Sequence, residues 1–426
     1  MGIIDKISPS GFLKNVLTLI SGTTLAQLIP LLIAPVLSRL YTPGDFGILG
    51  LYISIVAVVG VISTGRYELA IVLPQKDRDA VNILGLASLL VILVSLLSLF
   101  AILLFGRPIS RFFDEPGIRP YLYLIPVSVA FIGFYQIFNY WSTRKKTFRR
   151  NAAARISQTS STAAVNTGLG FAGAGSAGLI VGTVIGQAAG ALALASGFLR
   201  KSGVYRRQIN RSEMKANGKK YINFLRINTP HAFIDSLQAN SLIYVIMAFF
   251  SKFIVGSYSF AFRIIKAPVG LVGNAIYQVL YQEASVALQQ GREIRPMILK
   301  IYKALFLTGL PVFTILFLFT PEIFSFVFGE EWRTSGEIAR ILIPYLFINF
   351  LASPVSCIPL LMNRQKEAIL FAIADIILKV GSILIGGFED NYRLGFIIMS
   401  ISCSLLLVYA LFWYYKIANP KKKGYH

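Results

Sequence analysis

Two cations inside an apolar stretch are the first residues of this sequence that could do chemistry. Arg263 and Lys266 stand three residues apart within the stretch 254–281, so a helix would place them side by side on one face. At helical spacing that face continues through Gly270, Asn274 and Tyr277. Two adjacent cations with no acid near them in sequence repel each other unless an anion or water lies between them. We predict an anion-binding face; the alternative is that both side chains extend to water at the helix end.

A histidine and an aspartate mark a second apolar stretch. His231 and Asp235 have the i, i+4 spacing that allows a hydrogen bond on a helix, and Arg226 lies just upstream. Because a desolvated carboxylate changes its pKa easily, Asp235 and His231 are candidates for coupling to a proton or sodium gradient. The sequence leaves open a second interpretation, in which Asp235 only neutralises Arg263 or Lys266 on the next helix.

Two further acid and base pairs carry less information. Asp375 and Lys379 are also at i, i+4, in the acid-before-base order that favours pairing, and we predict a structural or gating ion pair. Arg66 and Glu68 stand at the end of an apolar stretch, where long side chains reach water at little cost. They therefore indicate little about function.

The composition indicates whether the helices that hold these residues lie in water or in a lipid bilayer. Of 426 residues, 55% are hydrophobic and 14% are charged, against roughly 45–50% and 25% in soluble domains. With a mean hydropathy of +0.66 over the whole chain, the apolar residues exceed what one packed core needs, so a bilayer must surround much of the protein. A soluble globular enzyme is excluded.

Apolar stretches of about 20 residues predict an all-α polytopic membrane protein with twelve transmembrane helices. Their extents are 12–39, 45–66, 83–105, 119–141, 155–174, 178–199, 221–250, 254–281, 297–320, 337–361, 367–386 and 394–415. The fifth is too polar over 157–162 to face lipid, so other helices must surround it. The sixth carries small residues at four-residue intervals that let another helix approach closely, namely Gly178, Gly182, Gly186 and Gly190.

The net charge of +22 predicts the orientation of these helices. Basic residues concentrate in the termini and in alternate loops, most densely at 144–150 and 200–220, and the positive-inside rule then places both termini in the cytoplasm. Such clusters mostly fix topology and attract anionic lipid headgroups. Because they are divided among short loops and do not form one face, we expect membrane lipids and no nucleic acid as partners.

The basic segment 200–220 is the longest predicted connection, and six spans lie on either side of it. We therefore predict an N-terminal six-helix lobe over 1–199, a basic, poorly structured cytoplasmic linker over 200–220, and a C-terminal six-helix lobe over 221–426.

The sequence contains few of the residue patterns that enzymatic catalysis requires. The two cysteines, Cys357 and Cys403, both lie in apolar runs, and neither a zinc site nor a disulfide framework can be assembled from them. There is no glycine-rich phosphate loop and no acidic cluster outside the predicted spans. We expect a protein that is not an enzyme, with no catalytic residue, no metal and no cofactor.

Four short segments resemble a known family. They are LSRLYTPGDFG at 37–47, RYELAIVLP at 66–74, AFRIIKAP at 261–268 and QVLYQEAS at 278–285. The first two are similar to the N-terminal signature of Wzx-type polysaccharide-biosynthesis flippases. The other two resemble the eighth helix of that family, a pattern shared across the superfamily that includes MATE drug exporters and lipid II flippases.

The resemblance implies two six-helix lobes around a central cavity in the cytoplasmic membrane. By alternating access, such a protein carries an undecaprenyl-pyrophosphate-linked oligosaccharide to the outer leaflet, and polysaccharide polymerase and other assembly proteins are its expected partners. Arg263 and Lys266, with Arg226 as a further candidate, would meet the pyrophosphate, and Asn274, Gln136 and Asn139 would meet sugar hydroxyls. Two alternatives are a MATE-like cation or drug antiporter and a non-transporting scaffold of polysaccharide assembly.

Overall fold

The computed structural model describes residues 9–199, 203, 205 and 208–418, with side chains from Leu25 onward. Every regular element within these ranges is helical. The longer helices are α1 Pro9–Leu40, α2 Pro43–Ile62, α3 Asp77–Phe112, α4 Ile125–Arg144, α5 Phe148–Phe171, α6 Gly175–Leu199, α7 Arg211–Lys220, α8 Thr229–Phe249, α9 Lys252–Gln289, α10 Arg295–Phe328, α11 Arg333–Ala352, α12 Gln365–Phe388 and α13 Tyr392–Ile417.

Most of these helices are long and apolar enough to cross a membrane. Within the described ranges nine segments meet that criterion, and a tenth does so if Pro116–Leu122 and Ile125–Arg144, which bend by 50°, form one span. The other two predicted spans are α1, with a shorter apolar part at Leu25–Leu40, and the polar α5. The predicted fold class, an all-α polytopic membrane protein, is confirmed.

The glycine stripe of α6 is the surface on which the polar helix α5 packs. A Cβ atom at Gly182 would overlap the Asn166 side chain, and one at Gly186 would lie 2.8 Å from the carbonyl oxygen of Gln158. α5 also packs against α1 on another side. The prediction that α6 lets a helix approach closely is confirmed, and α5 places its polar side chains largely among its neighbours.

The chain divides into two compact units between Tyr244 and Val245, within α8. In the first unit, α4 packs against α2, α3 and α6, and the short 3₁₀ helix Tyr67–Val72 packs against α3 and α4. The buried core of the first unit includes Ala80, Ile83, Val91, Ile137, Trp141 and Phe198.

Helix α7 corrects part of the predicted linker. Its first turn is capped by Asn210, whose side chain accepts from the Ser212 backbone N–H. The fully buried Asn82 of α3 donates to the Gln208 carbonyl at 2.9 Å and accepts from the Asn210 backbone N–H at 2.8 Å. Arg78 donates to Glu213 at 2.8 Å. The expectation of a poorly structured segment is wrong over Arg211–Lys220, because these contacts dock the helix on α3.

In the second unit, α11 packs against α9, α10 and α13, and α12 packs against α13. Around the start of α11, the ring of the fully buried Trp332 lies 4.1 Å from that of Phe260, which in turn lies 5.0 Å from Phe328. A second buried cluster, at the other end of these helices, includes Leu280, Ala284, Ile294, Ile298, Val355 and Ile358. The unit is therefore tied at both ends of its helices.

Candidate functional site

Helix α9 carries the two cations from which the sequence predicts an anion-binding face. Ser251 caps its start by accepting from the Ile254 backbone N–H, and the helix continues without interruption through Arg263, Lys266 and Asn274. All three side chains are exposed. The predicted arrangement on one helix is therefore present, and neither Arg263 nor Lys266 forms an ion pair with the described residues of the second unit.

An aromatic ring of the same helix lies beside Lys266. The Lys266 ammonium lies 4.7 Å from the centre of the Phe262 ring. That ring stacks on the buried Tyr258 at 5.5 Å, and Tyr258 stacks on Phe396 at 5.4 Å. A cation over a ring is stabilised weakly compared with a cation paired to a carboxylate. The positive charge of α9 therefore stays available to a ligand.

A second charged group of the same unit lies on α12. Lys379 donates to Asp375 at 2.5 Å, and both side chains are about one quarter exposed. The Lys379 ammonium also lies 5.2 Å from the Tyr345 ring. Lys266 is close enough to interact electrostatically with both members of the pair. The predicted contact is present; its role, structural or gating, stays a prediction.

The charge of this group of side chains is positive. Lys266 and Lys379 face the single carboxylate of Asp375, and Arg263 adds a further cation one helical turn from Lys266. The carboxylate is already hydrogen-bonded to Lys379, so it compensates only one of the cations. The arrangement can hold an anion and disfavours a cationic ligand.

Two amide side chains of the first unit lie on α4. Gln136 and Asn139 are three residues apart and both are half-buried. The Gln136 side-chain oxygen is buried and finds no hydrogen-bond partner among the described residues. The Asn139 carbonyl accepts from Thr143 at 2.9 Å, as expected within a helix. An amide oxygen without a partner is the kind of group that a hydroxyl donor can satisfy.

The His231 and Asp235 side chains form the predicted contact on α8. Nδ1 of His231 lies 2.9 Å from Oδ2 of Asp235, and the side chains are 77% and 59% exposed. Arg226 lies upstream in a single π-helical turn, Phe224–Asn228, and is also exposed. The contact is present, and the role of Asp235 in ion coupling stays a prediction.

Glu68 is the charged residue that sequence reasoning undervalued. Its side chain is 1% exposed, accepts a hydrogen bond from Thr64, and lies 3.3 Å from the Arg66 guanidinium. Burial raises the pKa of Glu68 from its ordinary value, against the opposing effects of Thr64 and Arg66. The turn that folds the carboxylate inward is made by Gly65 and Arg66, both at φ 58°. A glycine directly before the charged pair was the signal that could have revealed it.

Arg144 belongs to a basic cluster that the sequence assigns to topology, but it also holds the segment after Glu68. Its guanidinium donates to the carbonyls of Pro74 at 2.6 Å and Ile71 at 3.3 Å, and to Asp77 at 3.1 Å. Its side chain is only 10% exposed. Lys145 pairs with the same aspartate. A residue of α4 therefore holds the segment that follows Glu68.

The structure does not bring metal-binding side chains together in the part of the chain that it describes. No group of three or more His, Cys, Asp or Glu side chains is placed to hold a metal ion there. Both cysteines are buried and free.

Solved structures share this fold. An inward-facing MATE family multidrug resistance transporter of the MOP superfamily has a TM-score of 0.71 at 16% identity, over 94% of this chain and 96% of that one. The lipid II flippase MurJ, in an inward closed conformation, has a TM-score of 0.66 at 14% identity, over 94% and 90%. A MOP superfamily transporter from Pyrococcus furiosus, described as having a binding pocket of reverse polarity that suggests a different function, has a TM-score of 0.53 at 16% identity, over 96% and 95%.

The family is shown by the sequence itself. No curated protein matches the chain, but a family model described as "Polysaccharide biosynthesis protein" matches residues 36–337. The fold and the many apolar helices are those of a multi-pass membrane protein. The match extends over most of the sequence, and the chain belongs to the family of polysaccharide biosynthesis proteins.

Proposed function

We propose that the protein carries a lipid-linked oligosaccharide, attached to undecaprenyl pyrophosphate, across the cytoplasmic membrane by alternating access. The observation that carries this proposal is the pair of exposed cations, Arg263 and Lys266, on one face of α9 in a polysaccharide biosynthesis protein. A pyrophosphate is the anionic group that such a substrate presents.

The chemistry of the two cations suits a pyrophosphate. The planar guanidinium of Arg263 can bind two phosphate oxygens at once, whereas the ammonium of Lys266 acts as a point charge that the substrate can leave. Neither forms an ion pair with a carboxylate among the residues of the second unit that the structure describes. Binding therefore requires no existing ion pair to break, which suits a transporter that must release its cargo.

The sugar portion would be bound by polar side chains without charge. Gln136 has a side-chain oxygen without a partner among the described residues, and Asn139 and Asn274 offer further amides. Amides both donate and accept, as sugar hydroxyls do. Arg226 is assigned to the substrate on charge alone.

A cation or drug antiporter is the less favoured alternative. The charged group formed by Lys266, Lys379 and Asp375 is net positive, and a cationic drug would be repelled by it. The Pyrococcus furiosus transporter provides a parallel within the same fold, since its binding pocket is described as reversed in polarity. A drug-resistance phenotype on expression would favour the antiporter. A non-transporting scaffold is the other alternative, and it predicts that removing the cations of α9 has no effect on transport.

The setting of this activity follows from the charge distribution. We place the protein in the inner membrane with both termini in the cytoplasm, because the basic loops concentrate on one side. Transport would be driven by a proton or sodium gradient, with Asp235 and His231 as the groups that bind the ion. Polysaccharide polymerase and other assembly proteins would act on the delivered substrate.

Substitution of the two cations tests the proposal. In cells that lack the chromosomal copy, R263Q and K266Q should each lower the surface polysaccharide about 10- to 100-fold, the range expected for losing a hydrogen bond to a charged group. The lipid-linked precursor should accumulate on the cytoplasmic face. R364Q is the matched control, because Arg364 is already paired with Glu367 at the start of α12. Full transport by the R263Q/K266Q double variant, at equal protein level in the membrane, would refute the proposal.

A further inference from the structure

An apolar groove opens on the surface of the second unit, between α10, α11 and α13. It encloses about 660 Å³ and is lined by residues that include Phe317, Pro344, Ile348, Ile401, Leu405 and Val408. Several of these side chains are largely exposed, among them Ile401 at 57% and Leu405 at 66%. Arg340 of α11 also lines the groove, and it is the one charged side chain among the described residues that do so.

Arg340 differs from the two arginines nearest to it at this end of the unit. Arg393 lies 2.7 Å from Glu337, and Arg333 lies 3.6 Å from Glu330. Arg340 forms no ion pair within the described residues of the second unit. Because Glu337, one turn before it, is already paired with Arg393, the guanidinium of Arg340 remains uncompensated beside apolar surface. Such a charge in a membrane protein is costly unless an anion meets it.

The groove has the length of one lipid chain. The Glu337–Arg393 ion pair brings the starts of α11 and α13 to the same end, so Arg340 lies near the end of the groove marked by Ile397. From Ile397 to Val408 along α13 the groove extends about 16 Å at the helical rise of 1.5 Å per residue. Half of the hydrocarbon core of a bilayer is about 15 Å thick.

We propose that the groove binds an anionic phospholipid of the surrounding bilayer, with one acyl chain against Ile401 and Leu405 and the phosphate at Arg340. The acyl chain needs an apolar surface about as long as one leaflet is thick, and the phosphate of the headgroup needs a cation without an ion pair at one end. The groove supplies both. By the orientation that the basic loops predict, this lipid belongs to the leaflet opposite those loops. The residues that line the groove belong to α10, α11 and α13, and the cations of α9 are not among them.

The test is lipid retention by the purified full-length protein, measured by native mass spectrometry. Phosphatidylglycerol and phosphatidylcholine with identical acyl chains serve as the two probes. The wild-type protein should retain the anionic lipid about five-fold more than the zwitterionic one, as expected for one arginine near a lipid phosphate. R340Q should bring that ratio close to one, whereas R340K should keep most of it.

A groove-filling variant tests the acyl chain separately. L405W should reduce retention of both lipids, because the indole would occupy the groove. L103W is its matched control, since Leu103 on α3 is similarly exposed at 63% but lies in the first unit. R333Q controls for loss of a positive charge at the same helix end, and all variants are compared only as monodisperse samples.

Three results would overturn the proposal. One is unchanged lipid preference in R340Q, which would show that the arginine does not select the headgroup. Another is unchanged retention of both lipids in L405W. The third is a dimer of the wild-type protein that L405W converts to a monomer, because the groove would then be a contact between two copies of the chain.

Discussion

The Arg144 guanidinium on α4 donates a 2.6 Å hydrogen bond to the carbonyl oxygen of Pro74. That bond joins two parts of the chain 70 residues apart, and the same guanidinium reaches Ile71 and Asp77. One side chain therefore satisfies several acceptors of the segment that connects α2 to α3. The buried Glu68 lies a few residues before the segment that Arg144 holds.

Replacement of Arg144 should destabilise the first unit. R144Q removes hydrogen bonds from a charged donor that is 10% exposed, each worth about 1.5–3 kcal/mol when the acceptor is buried. We expect the melting temperature of the purified protein to fall by about 3–8 °C. R149Q, at an exposed position of the same basic cluster, should change it little. Equal melting temperatures for the two variants would show that Arg144 acts only in topology.

Glu68 should make stability depend on pH in a defined direction. Burial raises the pKa of Glu68 above the ordinary value of 4.5. The folded protein therefore holds the proton of the Glu68 carboxyl group more tightly than the unfolded chain does. The contribution of Glu68 to the free energy of unfolding is fully present below its pKa in the unfolded chain. It is lost as the pH rises through its pKa in the folded protein. Measured against pH, the melting temperature of E68Q should exceed that of the wild type at neutral pH, and the two should converge toward pH 4.5.

The control for this experiment is E367Q, which removes an exposed carboxylate of the second unit. It controls for the loss of a carboxylate as such, because Glu367 is 39% exposed. If E68Q were less stable than the wild type at neutral pH, the ion pair with Arg66 would outweigh the desolvation of the carboxylate.

The local features of this fold could be predicted from the sequence, but its long-range contacts could not. Glycines at four-residue intervals predict a close helix contact because the spacing alone puts Gly182 and Gly186 on one face. The Asp375–Lys379 contact follows from spacing in the same way. The contact of Arg144 with the segment after Glu68, by contrast, joins residues about 70 positions apart, and hydrophobic periodicity carries no information on it.

The docking of α7 illustrates the same limit. The segment is basic and polar, which indicates a solvated linker, yet Asn82 bonds to Gln208 and Asn210 across more than 120 residues of sequence. A buried asparagine in an apolar stretch is visible in the sequence as an exception, but its partners are not. The candidate anion site could be predicted from the sequence, because Arg263 and Lys266 are likewise polar residues in an apolar stretch and lie on one helix.

The glycine stripe of α6 should tolerate no side chain at its centre. A Cβ at Gly186 would overlap Thr162 and lie 2.8 Å from the Gln158 carbonyl oxygen, so G186A must separate α6 from α5. We expect a lower yield of folded protein and a melting temperature lower by several degrees, as for an overpacked core. G168A is the matched control, because nothing lies within 4 Å of a Cβ there. It should be neutral or slightly stabilising, since alanine favours the helix.

The Asp375–Lys379 pair provides the last prediction, because its two proposed roles give different results on charge reversal. Removing one member leaves the other uncompensated among apolar and aromatic groups, so D375N and K379Q should each lower the melting temperature. The reversed pair, D375K/K379D, restores an ion pair at the same i, i+4 spacing. A structural pair requires only that contact, and the reversal should recover most of the stability and of the transport measured by surface polysaccharide.

A gating pair would behave differently in that variant. Lys266 interacts electrostatically with both members of the pair, and reversal changes the sign of the charge at each of these two positions. Stability would then recover while transport stays low. We expect recovery of both, because the 2.5 Å contact between Lys379 and Asp375 lies within one helix and joins no two elements that could separate. The neutral double variant D375N/K379Q completes a double-mutant cycle with the two single variants and gives the coupling free energy of the pair, and a value near zero would contradict either role.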